Sequence, residues 1–142
     1  MNNKWVLILG GCCERGQIAA KKCIDQDYTV VVVDKKGKDD LPENWPSHTN
    51  CNDNKNFVYY EDDVLNFLTT ETFFQHVNWS IVMNFAHIKH EDYIEEVTYN
   101  NILEAYFVRW VHALPYPKPE VITCCEYSLV GQHFATCKQL WA

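Results

Sequence analysis

The chain has 142 residues, of which 47% are hydrophobic and 14% aromatic, so it is long and apolar enough for one folded domain rather than a disordered protein. Its net charge of −7 argues against nucleic acid or an anionic membrane as a partner. Seven cysteines, an odd number, together with the absence of a visible signal peptide or bilayer-spanning stretch, predict a reduced, cytoplasmic protein.

The first thirty residues predict a strand, a glycine turn, a helix and a second strand. An apolar run over Trp5–Leu9 ends at Gly10-Gly11, and Gly16 follows. A helical pattern then leads into the β-branched run Tyr28–Val33, which Asp34 closes. This order is the βαβ fingerprint of dinucleotide-binding folds. In that fingerprint the glycine backbone and the helix N-terminus meet a pyrophosphate, and the acid accepts hydrogen bonds from ribose hydroxyls.

The glycine motif is incomplete, because Cys13 stands in the place of its middle glycine. If that position needs a positive φ, a side chain there costs about 1–2 kcal/mol. Arg15, next to Gly16, is a candidate either to cap the cofactor phosphates or to fill the cleft. In the alternative interpretation, the glycines serve packing alone, as in flavodoxin-like folds.

The segment 35–56 is polar and predicts a long surface loop, with at most a helical turn over 40–44. Lys35 and Lys36 are candidates for a 2′-phosphate, although the preceding acid favours NAD over NADP. Phe57–Tyr60 predicts a third strand. A helical pattern follows it and breaks near Thr69-Thr70, with Thr70 or Thr72 as the cap of the next turn.

The second half of the chain continues the alternation of strands and helices. Trp79–Phe85 predicts a central parallel strand, Glu91–Val111 a long helix, and Val121–Cys125 a fifth strand. Phe134–Trp141 predicts the start of a last helix. Residues of the long helix recur at helical spacing and predict its inner face: Tyr93, Ile94, Val97, Asn101, Ile102, Ala105, Val108 and Trp110. The whole order predicts an α/β fold, a Rossmann-type doubly wound parallel sheet in a single domain over 1–142.

Taken together, these stretches resemble the extended short-chain dehydrogenase/reductase superfamily, of the NAD-dependent epimerase/dehydratase and 3β-hydroxysteroid dehydrogenase types. The resemblance is carried by LGGCCERG, VVVVD, the Asp62-Asp63-Val64 string, VMNFAH and VITCCEYSLVG. It implies that Asp62 or Asp63 meets the adenine amino group, and that Asn101 matches the family's helix asparagine. The implied NAD-binding residues are Gly10, Gly11, Cys13, Arg15, Gly16, Asp34, Asp62, Asp63, Val64, Phe85, Ala86, His87 and Asn101.

The chain departs from the family where the family's chemistry is carried. The family uses a serine or threonine after strand five and a Y-x-x-x-K motif, whose tyrosine transfers a proton. Here Cys125 and Glu126 stand near the first position, and Phe134 and Lys138 occupy the second. The remaining candidate proton donors are Tyr127 and His133. The family's substrate lobe would follow this point and is absent from the sequence.

These departures predict a truncated pseudoenzyme that binds dinucleotide without turnover by this chain alone. Two alternatives stay open. One is an oxidoreductase or epimerase that another chain completes, and the other is a non-catalytic protein-interaction module.

Two further sets of residues suggest other functions. A zinc or redox-thiol site is conceivable at the sheet edge, where a cysteine at a helix N-terminus has a lowered pKa. Its candidate members are Cys12, Cys13, His87, His90, Cys124 and Cys125. The simpler interpretation treats these as small or loop residues, with no metal. Aromatic residues of the long helix predict a homodimer or partner-protein surface, core packing, or both on different faces; they are Tyr99, Tyr106, Phe107 and Trp110.

Overall fold

The computed structural model describes residues 4–37, 57–115, 117–123 and 135–136. Its strands are β1 (Trp5–Leu9), β2 (Thr29–Asp34), β3 (Phe57–Glu61), β4 (Trp79–Asn84), β5 (Glu120–Thr123) and β6 (Ala135–Thr136). Its helices are α1 (Glu14–Asp25), α2 (Val64–Thr70), a 3₁₀ helix (Phe73–His76) and α3 (Tyr93–His112). The strands form one parallel sheet in the order β3-β2-β1-β4-β5-β6.

This strand order confirms the predicted Rossmann-type sheet. A flavodoxin-like sheet would place β1 between β2 and β3, whereas here β1 lies between β2 and β4. From β1 the chain adds β2 and β3 on one side and then β4 and β5 on the other, so the order of strand addition reverses at the β1–β4 pair. Ligands of such folds bind in the crevice at the carboxyl ends of the strands at this position. The topology alone therefore points to the region where Leu9 and Asn84 end their strands.

The sheet is covered by helices on both faces. In β1, Val6 and Ile8 belong to the apolar layer that contains Ala19 of α1. Leu7 and Leu9 of the same strand face the opposite layer, which α2 and α3 complete. All four of these β1 residues are fully buried. A strand buried on both faces requires a continuous apolar run, which is the pattern that the sequence showed.

The element after β5 differs from the prediction. Ala135–Thr136 lies as a short strand beside β5, so a helix at these two residues is wrong. The rest of that predicted helix lies outside the described residues, as do the turn predicted over 40–44 and the end of the fifth strand at Cys124-Cys125.

The break in the helical pattern after β3 is confirmed, since α2 ends at Thr70 and the 3₁₀ helix begins at Phe73. Thr72 occupies the cap position, but its side chain makes no cap hydrogen bond. The Glu71 carboxylate instead accepts a hydrogen bond from the Phe73 N–H at 2.7 Å.

The inner face of α3 differs from the one that the apolar spacing predicted: Trp110 is buried as predicted, but the other seven residues are exposed or half-buried. Ile94 is 74% exposed and Ile102 is 41% exposed. The buried residues are Asn100, Leu103, Glu104, Phe107, Trp110 and Val111. Two of these buried positions, Asn100 and Glu104, are polar, which is why hydropathy misplaced the face.

The aromatic residues of α3 do divide between two faces, as one interpretation predicted. Phe107 and Trp110 are buried in the layer against the sheet. Tyr99 and Tyr106 are exposed on the outer side. Of the helices described, none is long and apolar enough to cross a membrane.

Candidate functional site

The glycine loop begins at Gly10, directly after β1. Gly10 has a φ of +69°, and its N–H donates to the Val33 carbonyl at 2.8 Å. A Cβ added to it would lie 2.6 Å from both the backbone nitrogen and the Cα of Ala86. Glycine is therefore needed at this position for its conformation and for the close approach of two backbones. The loop therefore contacts the backbone just after β4, where the order of strand addition reverses.

Gly11 and Gly16 allow the first turn of α1 to lie against the loop. A Cβ on Gly16 would stand 2.5 Å from the Cα of Gly11, and one on Gly11 would stand 2.4 Å from Cγ1 of Val32. Both glycines are buried beneath the loop. Packing accounts for both of them, so they do not by themselves distinguish a phosphate cradle from a tight turn.

Cys13 is the N-cap of α1, with φ −73° and ψ 165°. This is ordinary extended backbone, so the steric cost considered for a positive φ does not arise. The Cys13 Sγ accepts a hydrogen bond from the Gly16 N–H at 3.4 Å, and the exposed side chain lines the cleft. Arg15 is exposed in the first turn of α1 and does not line the cleft.

The Asp34 carboxylate at the end of β2 faces the glycine loop. Its Oδ2 accepts a hydrogen bond from the Cys12 N–H at 2.9 Å, and its Oδ1 accepts one from the Lys36 N–H at 3.3 Å. Asp34 is half-buried and lines the cleft together with Lys35. An ionised carboxylate offers about four lone-pair directions, so Asp34 retains acceptor capacity toward the cleft.

Tyr59 and Cys12 hold the turn after β2 against the glycine loop. The Tyr59 hydroxyl lies 3.8 Å from the Cys12 Sγ and donates to the Asp34 carbonyl at 3.1 Å or to that of Lys36. On the other side, Gln17 Nε2 donates to the Cys12 carbonyl at 2.8 Å. Burial, and then the Asp34 carboxylate, raise the pKa of the Cys12 thiol to about 12. The lowered cysteine pKa expected near a helix N-terminus is therefore wrong for Cys12.

Of the two acids predicted to meet adenine, Asp63 lines the cleft and Asp62 does not. Asp63 is the N-cap of α2, where its Oδ1 accepts from the Leu65 N–H at 2.9 Å. The Asp62 carboxylate accepts from Asn66 Nδ2 at 3.0 Å, and its own N–H donates to the Asp34 carbonyl. Asp62 therefore supports the turn beside Asp34.

The opposite wall of the cleft is the segment that follows β4, residues 85–89, all of which line it. Asn100 of α3 fixes this segment, since its Oδ1 accepts from the Ile88 N–H at 2.9 Å and its Nδ2 donates to the Ile88 carbonyl at 2.8 Å. Asn100 is fully buried.

The fully buried asparagine of α3 is thus Asn100, so the inward orientation predicted for Asn101 is wrong. The match of Asn101 to the family's asparagine stays a prediction. Asn101 is half-buried at the edge of the buried face of α3 and does not line the cleft. Its Oδ1 is buried and has no hydrogen-bond partner among the described residues.

A buried polar network lies behind the same wall and joins α3 to the ends of β4 and β5. Asn84 Nδ2 and Thr123 Oγ1 both donate to the Glu104 carboxyl group, at 3.2 Å and 3.1 Å. Asn84 Oδ1 in turn accepts from the Ala86 N–H at 3.0 Å. Burial raises the pKa of Glu104, partly offset by the hydrogen bonds from Thr123 and Asn84. Glu104 is not singled out by any sequence motif, since it is one of several polar residues within a predicted helix.

These walls enclose a cleft of about 230 Å³ at the carboxyl ends of β1, β2 and β4. Several residues predicted to bind cofactor line it, namely Gly10, Cys13, Asp34, Asp63, Val64, Phe85, Ala86 and His87. Lys35, a candidate from sequence for contact with a 2′-phosphate, also lines the cleft. Further lining residues that the sequence analysis did not assign to cofactor are Leu65, Ile88, Lys89 and Leu103.

The two histidines near the cleft lie beside acidic residues of α3. His87 Nε2 is 3.6 Å from Glu96 Oε1, and His90 Nε2 is 2.8 Å from Glu95 Oε2. Within the described parts of the chain, no group of three or more His, Cys, Asp or Glu side chains could hold a metal ion. Cys124-Cys125, the other members of the suggested zinc or redox site, lie outside those parts.

The candidate catalytic residues also lie outside the described residues. They are Cys125, Glu126, Tyr127, His133, Phe134 and Lys138. Their predicted roles, and the predicted loss of turnover, therefore stay predictions.

Known structures share this fold. dTDP-glucose 4,6-dehydratase from Bacillus anthracis, solved in complex with NAD, matches with a TM-score of 0.61 and 16% identity over 84% of this chain and 36% of that one. The UDP-Glc/GlcNAc 4-epimerase of Campylobacter jejuni matches with a TM-score of 0.65 and 13% identity over 85% of this chain and 36% of that one. ElxO with NADP bound matches with a TM-score of 0.63 and 17% identity over 86% of this chain and 55% of that one.

No protein-family model matches the chain, and no curated protein matches it. At identities this low, the structural matches establish the fold and nothing finer. A dehydratase and an epimerase are nevertheless the kinds of protein that the sequence resemblance pointed to, and the resemblance is confirmed at the level of fold. The chain spans only 36% of the length of either enzyme.

Proposed function

We propose that this chain is an NAD(P)-binding Rossmann domain, related to NAD-dependent epimerases and dehydratases, that does not turn over substrate alone. The observation that carries the proposal is the placement of Asp34. Its carboxylate ends β2, the strand beside β1, and lines the cleft next to the glycine loop. A carboxylate at the end of the second strand is the group that accepts ribose hydroxyls in folds of this kind.

The residues present fit a dinucleotide at its adenosine and diphosphate end. Gly10 approaches the Ala86 backbone closely and presents no side chain at the end of β1, while Cys13 of the same loop lines the cleft. The N-terminus of α1 follows directly and carries the positive end of the helix dipole, which favours a diphosphate. The cleft of about 230 Å³ is smaller than the roughly 300–1,000 Å³ of typical ligand pockets, so the described residues enclose only part of such a ligand.

Asp34 favours NAD over NADP in this proposal. A 2′-phosphate on the adenosine ribose would bring a second negative charge to a half-buried carboxylate, which is unfavourable at short range. Lys35 lines the cleft beside it and reduces that penalty without removing it.

The proposed lack of turnover rests on the sequence. Phenylalanine at position 134, where the family carries its tyrosine, has no ionisable proton. A positioned general acid or base contributes about 10²–10⁴ to a rate. NAD bound here would supply a hydride-accepting nicotinamide, but position 134 offers no tyrosine to transfer the accompanying proton.

Calorimetric titration of the wild-type chain and of Asp34→Ala with NADH and NADPH tests the binding half. We expect D34A to weaken NADH binding about 10- to 150-fold, because a hydrogen bond to a charged group contributes about 1.5–3 kcal/mol. NADPH should lose less, so the preference narrows. The control is Asp25→Ala, which removes the same charge from the exposed end of α1.

Undetectable NADH binding by a folded wild-type chain, or equal binding by D34A, would contradict the binding proposal. A hydride-transfer assay on candidate sugar nucleotides and steroids tests the other half separately. Turnover by this chain alone would overturn the pseudoenzyme prediction while leaving cofactor binding intact.

A further inference from the structure

Glu104 is a carboxyl group in the protein interior, fully buried on the inner face of α3. Its hydrogen-bond partners, Asn84 and Thr123, are both neutral. An ionised carboxylate without a cation is costly in such surroundings, so burial shifts this group toward its neutral form. A leucine at this position would leave the buried Asn84 amide and Thr123 hydroxyl without the acceptor that they share. The carboxyl group is therefore explained by the acceptor that these two partners need, and not by apolar packing of the helix on the sheet.

The contacts of Glu104 lead to the cleft in two steps. Glu104 Oε2 accepts from Asn84 Nδ2, and Asn84 Oδ1 accepts from the Ala86 N–H. The backbone of Ala86 is the surface against which Gly10 packs. Ala86 and Gly10 both line the cleft. One buried side chain of α3 is thus linked to the contact between the two cleft walls.

The intermediate residue explains why an acceptor is needed. A side-chain amide can present either its oxygen or its nitrogen in a given direction. With an acceptor at Glu104, the amide nitrogen of Asn84 points toward α3, and its oxygen is left for the Ala86 N–H. Without that acceptor, nothing at position 104 would favour this orientation of the Asn84 amide. A rotated amide would place its NH₂ group, a donor, against the Ala86 N–H, which is also a donor.

We propose that Glu104 is a positioning residue for the cleft, which acts by orienting the Asn84 amide so that Ala86 is held against Gly10. The positioning itself does not depend on what the cleft binds. Its consequence for NADH affinity rests on the function proposed above, and the two are measured separately.

Amide hydrogen exchange of the ligand-free chain, followed by NMR, tests the positioning directly. In Glu104→Leu, we expect the protection of the Ala86 amide, relative to that of the central-strand residue Ile8, to fall about tenfold, as for the loss of one buried hydrogen bond. In Glu104→Gln, which keeps an acceptor of the same length, the ratio should stay at the wild-type value. The control Val111→Ala removes buried volume from the same helix and should also leave the ratio unchanged.

An unchanged ratio in E104L would overturn the proposal, and so would an equal fall in V111A, since any loss of packing would then suffice. If E104L does not fold, Glu104→Met takes its place as an unbranched apolar side chain of similar length. E104Q decides on its own if both apolar variants fail. Wild-type protection at Ala86 in E104Q supports the proposal, and a loss of about tenfold contradicts it.

Titration with NADH then tests the consequence. If the wild-type chain binds NADH, E104L should bind it about tenfold more weakly while E104Q and V111A bind it as the wild type does. If the wild-type chain binds no NADH, the proposed function fails, but the exchange result still decides whether Glu104 positions the wall. Equal NADH binding by all the variants, with Ala86 less protected in E104L, would confine the role of Glu104 to the backbone.

Discussion

The two walls of the cleft depend on different kinds of information in the sequence. The wall formed by the glycine loop and Asp34 is encoded within thirty residues, by glycines and one acid at characteristic spacing. The wall after β4 is held by Asn100 and Glu104, which lie on a later helix and have no motif around them. The first wall can be recognised from local backbone requirements, whereas the second exists only through tertiary hydrogen bonds.

The largest effect is expected where the two walls meet. Gly10→Ala should lower the free energy of unfolding by about 2–5 kcal/mol, the sum of a positive-φ cost and an overpacking cost against the Ala86 backbone. Urea denaturation at 25 °C measures this difference. Gly11→Ala is the matched control, because its Cβ would meet a side-chain methyl of Val32.

G11A should therefore lose only about 1–3 kcal/mol, the cost of overpacking alone. A loss in G10A no greater than that in G11A would show that neither the φ of Gly10 nor the backbone contact constrains the junction. The Gly10–Ala86 contact would then not be what holds the two walls of the cleft together.

The second wall should reveal itself in the pH dependence of stability. Burial raises the pKa of Glu104 above its ordinary value of 4.5, so the native state holds this proton at pH values where the unfolded chain has released it. Stability should thus fall as the pH rises from about 4.5 to the folded pKa, by up to about 1.4 kcal/mol per pH unit, and the contribution is constant above that. Among the described residues, only the neutral Asn84 and Thr123 offset the effect of burial on this pKa.

E104Q removes that titration, so the difference between the wild-type and E104Q free energies of unfolding should shrink or change sign as the pH rises. Urea denaturation at several pH values between 4.5 and 8 measures it. Glu91→Gln, at an exposed position before α3, is the control for the loss of one carboxyl group. If the curve of E104Q ran parallel to that of the wild type, Glu104 would not hold an extra proton in the native state.

The sequence was a good guide to the sheet and a poor guide to α3. The continuous apolar run of β1 predicts a central strand buried on both faces. The glycines and Asp34 predict the first β-α-β crossover. In α3 the buried face includes the polar residues Asn100 and Glu104, whereas Ile94 and Ile102 are exposed to solvent. Apolar periodicity therefore selected the wrong face for most of the helix, and it turned Asn101 rather than Asn100 inward.

The same reasoning explains why Glu104 could not be found from sequence. Its role depends on Asn84, twenty residues earlier, and on Thr123, nineteen residues later. No spacing rule relates positions that meet only after the sheet has formed.

The smallest expected effect concerns Cys13, which sharpens the account of the first wall. Because Cys13 has ordinary extended backbone and caps α1 through a long 3.4 Å sulfur contact, Cys13→Ser should stabilise the protein by up to about 1 kcal/mol. Cys13→Gly should not stabilise it, since there is no positive φ to relieve. Urea denaturation of both variants in a reducing buffer measures the pair. If C13G gained as much stability as C13S or more, the Cys13 side chain would strain the loop. Position 13 would then require glycine, rather than being an N-cap position that tolerates cysteine.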